Sequence, residues 1–140
     1  YDTTEKDLDD YYKMMSEACE SGLFSWIAHP DLWCGSYGVW DDKAKDLAQK
    51  IIDLSIKYDI PLAFNANGLA IKKDELHYPC KPFWEMVAKS KAKVLVESDS
   101  HYPMVHSVRW MNYAYDTALS YGLKNNIIED VKIKYFKKKA

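Results

Sequence analysis

Polar side chains follow three short apolar runs of the sequence, at the point where each run ends. They are His29 and Asp31 after the first run, Asn65 and Asn67 after the second, and Asp99 and His101 after the third. Imidazole and carboxylate groups held together suit zinc, iron or manganese. Asp99 and His101 are two positions apart, so they lie on the same side of an extended backbone. This pattern indicates a divalent metal site to which His29, Asp99 and His101 contribute.

Each of these residues also has a purely structural explanation. The imidazole of His29, which precedes Pro30, can bond to the backbone of a turn, and an aspartate beside a histidine is a common structural pair. Asp31 can orient a metal ligand or cap the turn, and we favour the cap. We interpret His77 as a surface residue. His106 is a further candidate because it follows the third apolar run closely.

The three apolar runs are interpreted as buried strands that alternate with helices. Strands are predicted over residues 23–28, 61–66 and 93–97. Helices are predicted after a capping box at Thr4, after Asp41 or Asp42, from Pro82, and over residues 108–119. Alternation of this kind is typical of parallel βα units, in which the carboxyl ends of the strands carry the reacting groups. The sequence therefore predicts an α/β fold with the site at one edge of a parallel sheet.

Helical spacing of apolar residues predicts the buried face of each helix. The expected faces are Leu8, Tyr11 or Tyr12, Met15 and Cys19; then Leu47, Ile51, Leu54 and Tyr58; then Phe83, Met86 and Val87; and finally Val108, Met111, Tyr115 and Leu119. Residues 32–40 are predicted to form a loop, in which Trp33 and Trp40 can wall a pocket and Cys34 is an ordinary loop cysteine. Residues 127–136 fit either a strand or a frayed helix.

Composition limits the classes of function. The 140 residues suffice for one domain, and the net charge of −2 with a single arginine argues against a nucleic-acid-binding surface. No apolar run is long enough to span a bilayer, so no membrane partner is expected. Three widely spaced cysteines do not form a disulfide framework, which favours the cytoplasm. The lysine-rich end, residues 132–139, is interpreted as a solvated tail, with contact to a polyanion as the alternative.

Four segments, in order, resemble motifs of the PHP (polymerase and histidinol phosphatase) superfamily, in its histidinol-phosphatase-like branch. They are IAHPDL at 27–32, similar to GHPDL; AFNANGL at 63–69, similar to EINTNGL; Tyr78-Pro79 with the FWEMVA helix, similar to YPS…LLELA; and SDSH at 98–101, similar to GSDAH. The resemblance covers most of the chain. It implies that residues 1–140 are one domain, the C-terminal portion of a distorted, TIM-like (β/α)7 barrel.

The resemblance also implies a function. His29, Asp99 and His101 would bind two or three divalent ions (Zn, Mn or Fe), with Asp99 and His101 as the catalytic pair. A metal-bound hydroxide would attack the phosphorus of a small phosphorylated metabolite. Asn67 and Arg109 are the predicted substrate-binding residues. The expected enzyme is a metal-dependent phosphoesterase.

Two departures from the family's pattern define the alternatives. The family's opening H-x-H motif lies in an N-terminal half that the 140 residues do not contain, so we expect association with that half or self-association, and little activity from this chain alone. The arginines that follow HPDL and NTSGL in the phosphatases are also absent. Their absence favours the second interpretation, a non-catalytic scaffold domain with a structural or binding role. A nuclease is a third possibility, disfavoured by the balanced charge.

Overall fold

The computed structural model describes residues 3–70, 72, 74–97 and 108–128; the side chains at 66, 70 and 108–110 lie outside that description. Within it the chain is a mixed α/β structure, which confirms the predicted class. The elements are α1 (Glu5–Glu20), α2 (Leu32–Tyr37), α3 (Asp42–Tyr58), β1 (Leu62–Asn65), α4 (Lys81–Ala88), β2 (Val94–Glu97) and α5 (Val108–Ser120), with 3₁₀ turns at Ala66–Ala70 and Leu123–Asn125. None of the described helices is long and apolar enough to cross a membrane.

The sheet is parallel and its order in space follows the order of the chain. β1 pairs with β2 in the register Leu62 to Val94. Single parallel bridges extend the sheet on both sides, from Ile27 to Leu62 and from Val94 to Ile127. Four strand positions therefore lie side by side, and helices connect each one to the next. This is the arrangement that parallel βα units produce.

Local signals explain the two long helices, α1 and α3, and both predictions are confirmed. Thr4 and Asp7 form the capping box of α1, with the Thr4 hydroxyl accepting from the Asp7 amide at 3.3 Å. Asp41 caps α3 by accepting from the Ala44 amide at 2.9 Å. Caps of this kind stabilise a helix by about 1 kcal/mol. The predicted core faces are buried, including Leu8, Met15 and Cys19 in α1 and Leu47, Ile51 and Leu54 in α3.

Residues 32–37 form a helix, so the predicted loop at 32–40 is wrong over this part. The Trp33 indole donates to the Pro30 carbonyl at 2.8 Å, and the Cys34 amide donates to the Asp31 carbonyl at 3.1 Å. Both side chains are buried. The helix ends at Tyr37, and Gly38 caps it with a φ of 78°, a left-handed conformation that suits glycine. The burial of Trp33 and Cys34 stabilises a helix here, although the composition of this segment favours a flexible loop.

The first predicted strand, 23–28, is reduced to the single bridge at Ile27. The Ile27 amide donates to the Pro61 carbonyl at 2.8 Å, and the Ala63 amide donates to the Ile27 carbonyl at 2.9 Å. Leu23, Phe24 and Trp26 are exposed. A strand at the edge of a sheet is held by one neighbour only, which explains why its regular pairing is so short.

α5 is present where the sequence predicts it, but its buried face differs. Ala114 and Ala118 are fully buried, whereas Tyr115 and Leu119 are exposed to 37% and 47%. The face predicted from Tyr115 and Leu119 is therefore wrong. Small side chains at Ala114 and Ala118 let the helix approach the sheet closely, and the larger apolar residues lie one position further around the helix. α4, which corresponds to the third predicted helix, buries Phe83 and Val87 as predicted, and it also buries Trp84.

Candidate functional site

His29 leaves the sheet through a strained backbone conformation. It follows Ile27 by two positions and has a φ of 49°, in the left-handed region that disfavours side chains by roughly 1–2 kcal/mol. The hydroxyl of Tyr11 donates to its carbonyl at 3.4 Å. Strain of this kind is retained where the position of a side chain matters. It turns the imidazole towards the end of the neighbouring strand.

Asn65 is the last residue of β1 and meets that imidazole. Its Nδ2 lies 3.2 Å from Nδ1 of His29. Its Oδ1 accepts from the Asn67 amide at 2.8 Å, which fixes the orientation of the carboxamide. The predicted convergence of the first two strand ends is therefore confirmed for His29 and Asn65.

The orientation of Asn65 determines how His29 can bind a cation. Because Oδ1 of Asn65 accepts from the Asn67 amide, Nδ2 of Asn65 faces the imidazole. Nδ2 can only donate, so Nδ1 of His29 is the acceptor of this hydrogen bond. A neutral ring then carries its proton on Nε2. A metal ion on Nε2 requires the proton on Nδ1 and an acceptor beside it. His29 can therefore act as one metal ligand when the carboxamide of Asn65 turns so that its oxygen, and not its nitrogen, faces the ring.

Asp31 is a buried connector between two loops. It is 1% exposed, and its Oδ2 accepts from the Cys80 amide at 2.7 Å and from the Trp84 indole at 2.8 Å. Its Oδ1 has no hydrogen-bond partner in the described part of the chain. Burial raises the pKa of this carboxyl, although both hydrogen bonds and the charge of His29 act in the opposite direction.

The favoured interpretation of Asp31 as a turn cap is wrong. Its side chain makes no hydrogen bond to the first turn of α2. It attaches the segment after His29 to the start of α4, so it fixes the loop that borders the site. No local sequence signal indicates this role, because the burial that makes Asp31 need hydrogen-bond partners is a property of the whole fold.

Tyr78 and Gly68 form one wall of the site. The Tyr78 ring meets the His29 imidazole edge-on, with centroids 5.6 Å apart. Gly68 lies so close to Tyr78 that an added Cβ would collide with its carbonyl and its ring. Only glycine permits this contact, so the Asn67-Gly68 pair positions Tyr78 against His29.

Lys72 holds the adjoining loop and is not directed at a ligand. Its ammonium donates to the His77 carbonyl at 2.7 Å and to the Pro79 carbonyl at 2.8 Å. Burial lowers the pKa of this lysine, offset in part by Cys80 and Asp31. Its charge is therefore used within the fold.

The remaining predicted site residues have different outcomes. Asn67 is 5% exposed, and its Oδ1 has no hydrogen-bond partner among the described residues. Asp99, His101 and His106 lie outside the described residues, as does the side chain of Arg109. Within the described part of the chain, no three His, Cys, Asp or Glu side chains are grouped as they would be around a metal ion. Among the described residues, His29, Asn65 and Tyr78 lie together. The metal-binding set of His29, Asp99 and His101 stays a prediction.

The loop residues near His29 are mostly packing residues. Trp33 lines a groove of about 460 Å³ together with His29 and Tyr11, and it stacks on Trp40 with ring centroids 6.3 Å apart. Cys34 is buried, and this burial, together with the hydrogen bond between the Cys34 and Cys80 thiols, raises the pKa of the Cys34 thiol, so the thiol is unreactive.

Comparison of the chain with models of known families, with curated proteins and with solved structures finds no match.

Proposed function

We propose that this chain supplies part of the active site of a metal-dependent phosphoesterase acting on a small phosphorylated metabolite. The observation that carries the proposal is the contact between His29 and Asn65 across the carboxyl ends of two parallel strands. Reacting groups of parallel α/β enzymes gather at this edge of the sheet. The strained backbone of His29 adds support, because backbone strain of this kind clusters at functional sites.

The residues have distinct roles in this proposal. His29, Asp99 and His101 hold divalent ions (Zn, Mn or Fe). Such ions supply an activated water and offset the charge of the phosphoryl group. Asn67, whose buried Oδ1 has no hydrogen-bond partner in the described part, accepts a hydrogen bond from a substrate hydroxyl. Arg109 contacts the phosphate.

The chain forms part of a TIM-like parallel barrel in this proposal. Support comes from the four parallel strand positions, which lie in chain order with a helix before each one. Cys19, Cys34 and Cys80 are free thiols, which fits a reducing compartment, so we place the protein in the cytoplasm.

Metal binding by the purified chain tests the proposal. After equilibration with Zn²⁺ or Mn²⁺ and removal of free metal, bound metal is measured by mass spectrometry. His29→Ala and Asp99→Ala should each weaken binding by about tenfold or more. His77→Ala is the matched histidine control and should retain the metal. Equal metal content in all four proteins would overturn the ligand assignment.

Hydrolysis is measured separately with p-nitrophenyl phosphate. Weak activity that depends on added metal and is lost in His29→Ala supports the phosphoesterase. Tight metal binding without any hydrolysis, in the chain and in longer forms of it, supports the alternative of a non-catalytic scaffold. That alternative is favoured by one observation: Lys72, a cation close to the site, is occupied by two carbonyls of its own loop.

A further inference from the structure

The connections that lead into the four strand positions lie side by side at one end of the sheet. They are residues 21–26, 57–61, 89–93 and 122–126, which we call the amino rim. Main-chain hydrogen bonds join each connection to its neighbour: the Ile27 amide to the Pro61 carbonyl at 2.8 Å, the Leu62 amide to the Lys93 carbonyl at 2.9 Å, and the Val94 amide to the Asn126 carbonyl at 2.8 Å. Because parallel strands all begin at the same end, the amino rim lies at the opposite end of the sheet from His29 and Asn65.

The amino rim is basic, although the whole chain has a net charge of −2. Its charged residues are five exposed lysines and one aspartate, a net charge of +4: Lys57, Lys89, Lys91, Lys93, Lys124 and Asp59. Asp59 accepts from Lys93 at 2.9 Å, and Glu20 borders the rim at the end of α1. Lys89, Lys91 and Lys124 make no ion pair within the described part of the chain. Their charge is therefore available to a partner.

Buried Asn126 holds two of the lysine-bearing connections together. Its Nδ2 lies within hydrogen-bonding distance of three carbonyls, those of Val87 at 3.1 Å, Ser90 at 3.1 Å and Ala92 at 2.9 Å. The exposed lysines of the 89–93 connection alternate with Ser90 and Ala92, and Ala92 is buried. The backbone is thus fixed against residues 122–126 while the lysine side chains face the solvent.

Large apolar side chains are exposed at the same end of the sheet. Leu23, Phe24 and Trp26 belong to the amino rim, and Ile56 directly precedes it in α3; their exposed fractions range from 39% to 52%. Exposed apolar side chains beside charged ones mark protein or membrane contacts. Tryptophan, phenylalanine and leucine suit the boundary between lipid headgroups and acyl chains, and the long stems of lysines can follow that boundary with the ammonium in water.

We propose that the amino rim binds the surface of a bilayer that contains anionic lipids. The lysines would lie against the anionic headgroups, and Leu23, Phe24 and Trp26 would enter the headgroup layer. The rim contains no arginine, the residue that reads phosphates and bases through paired hydrogen bonds, so a lipid surface suits it better than a nucleic acid. Such a surface contact needs no helix that spans the bilayer.

This orientation leaves the candidate site accessible. With the amino rim on the bilayer, the opposite end of the sheet, where His29 and Asn65 meet, faces the solution. A soluble substrate could then reach His29 while the protein is bound. The proposal does not depend on the phosphoesterase, because it uses none of the residues of that site.

Co-sedimentation of the purified chain with lipid vesicles tests the proposal. The vesicles consist of phosphatidylcholine alone or with about 30% phosphatidylserine. We expect binding to the vesicles with phosphatidylserine, and loss of that binding as NaCl rises from about 0.05 to 0.5 M. Failure to bind at low salt overturns the proposal. Equal binding to both kinds of vesicle also overturns it, because the lysines would then not carry the contact.

A matched pair of double variants locates the contact. Lys89→Glu with Lys91→Glu should weaken binding by about tenfold or more. Lys13→Glu with Lys45→Glu is the control: it makes the same change of charge at exposed lysines in α1 and near the start of α3, outside the rim, and should weaken binding far less. The lysine-rich end is the same in both, so the difference reports on the rim. Equal effects of the two double variants overturn the proposal. Circular dichroism verifies that each variant is folded.

Phe24→Ser tests the apolar part of the contact and should weaken binding by about threefold or more. Val39→Ser is its control, since both side chains are 49% exposed and Val39 lies outside the rim. A single-stranded DNA of about 20 nucleotides is the competing probe. If the chain binds this DNA more tightly than the vesicles, and Lys89→Glu with Lys91→Glu abolishes that binding, the rim recognises nucleic acid and the proposal is overturned.

Discussion

Asn65 Nδ2 lies 3.2 Å from Nδ1 of His29, although 36 positions separate the two residues in the chain. The contact joins the ends of neighbouring parallel segments and fixes the ring of the candidate metal ligand. It also presents a hydrogen-bond donor where a metal-binding histidine needs an acceptor. We therefore expect the Asn65 carboxamide to control how well His29 can bind a metal ion.

Asn65→Asp should strengthen metal binding by about tenfold. One carboxylate oxygen can keep the hydrogen bond from the Asn67 amide, and the other takes the place of Nδ2 and accepts a hydrogen bond from Nδ1–H of His29. Nε2 then carries the lone pair that a cation needs. Competition with a chromogenic Zn²⁺ chelator measures the dissociation constant.

Asn67→Asp is the matched control for this change. It adds the same charge two positions away, without the contact to His29. If both variants strengthen binding equally, added charge alone explains the effect and the orientation of His29 does not control affinity. A larger effect of Asn65→Asp supports the role of the His29–Asn65 contact.

Much of this arrangement is predictable from local sequence signals. The capping residues Thr4 and Asp41 locate the starts of α1 and α3, and short apolar runs locate β1 and β2. The proximity of His29 and Asn65 follows from a general property of parallel sheets, since carboxyl ends of adjacent strands meet at one edge. Neither inference needs knowledge of packing.

Other features depend on contacts between distant segments and could not be predicted in this way. Asp31 binds Cys80 and Trp84, which are 49 and 53 positions away. Nothing near Asp31 in the sequence distinguishes this role from a turn cap. α2 forms because Trp33 and Cys34 are buried there, and burial is a property of the whole fold.

Asp31→Ala should destabilise the fold by about 3 kcal/mol, because the Cys80 amide and the Trp84 indole lose their acceptor inside the protein. Asp31→Asn keeps an acceptor oxygen and is the milder variant. Urea denaturation at neutral pH compares the two. If the two variants lose the same free energy of unfolding, Asp31 does not stabilise the fold by accepting these hydrogen bonds.

Asp31→Asn should also change the pH dependence of stability. Burial raises the pKa of Asp31 in the folded state above its value in the unfolded chain. The folded protein therefore holds this proton more tightly, and the contribution of Asp31 falls as the pH rises from about 4 through the folded pKa. Relative to Asp31→Asn, the natural protein should lose stability across that range. A constant difference between the two proteins at all pH values would contradict the raised pKa.

Gly68→Ala should destabilise the protein by roughly 1–3 kcal/mol, because the new methyl group collides with the Tyr78 carbonyl and ring. If Tyr78 moves away instead, its contact with His29 is lost and metal binding should weaken. Gly35→Ala is the control, since its methyl group would lie 3.6 Å from His77 Cα, an ordinary contact. Because Gly35 lies within α2, its replacement should be neutral or slightly stabilising. Thermal denaturation with and without Zn²⁺ separates the two effects.

Paired substitutions in α5 test its buried face. Ala118 is fully buried and Leu119 is 47% exposed, the reverse of what residue size suggests. Ala118→Leu forces extra methyl groups into a filled space and should destabilise the fold by roughly 1–3 kcal/mol. Leu119→Lys keeps its side chain in solvent and should change stability by about 0.5 kcal/mol or less. If Leu119→Lys is instead the more damaging variant, the face predicted from Tyr115 and Leu119 is correct, and α5 must be rotated relative to the sheet by about one residue.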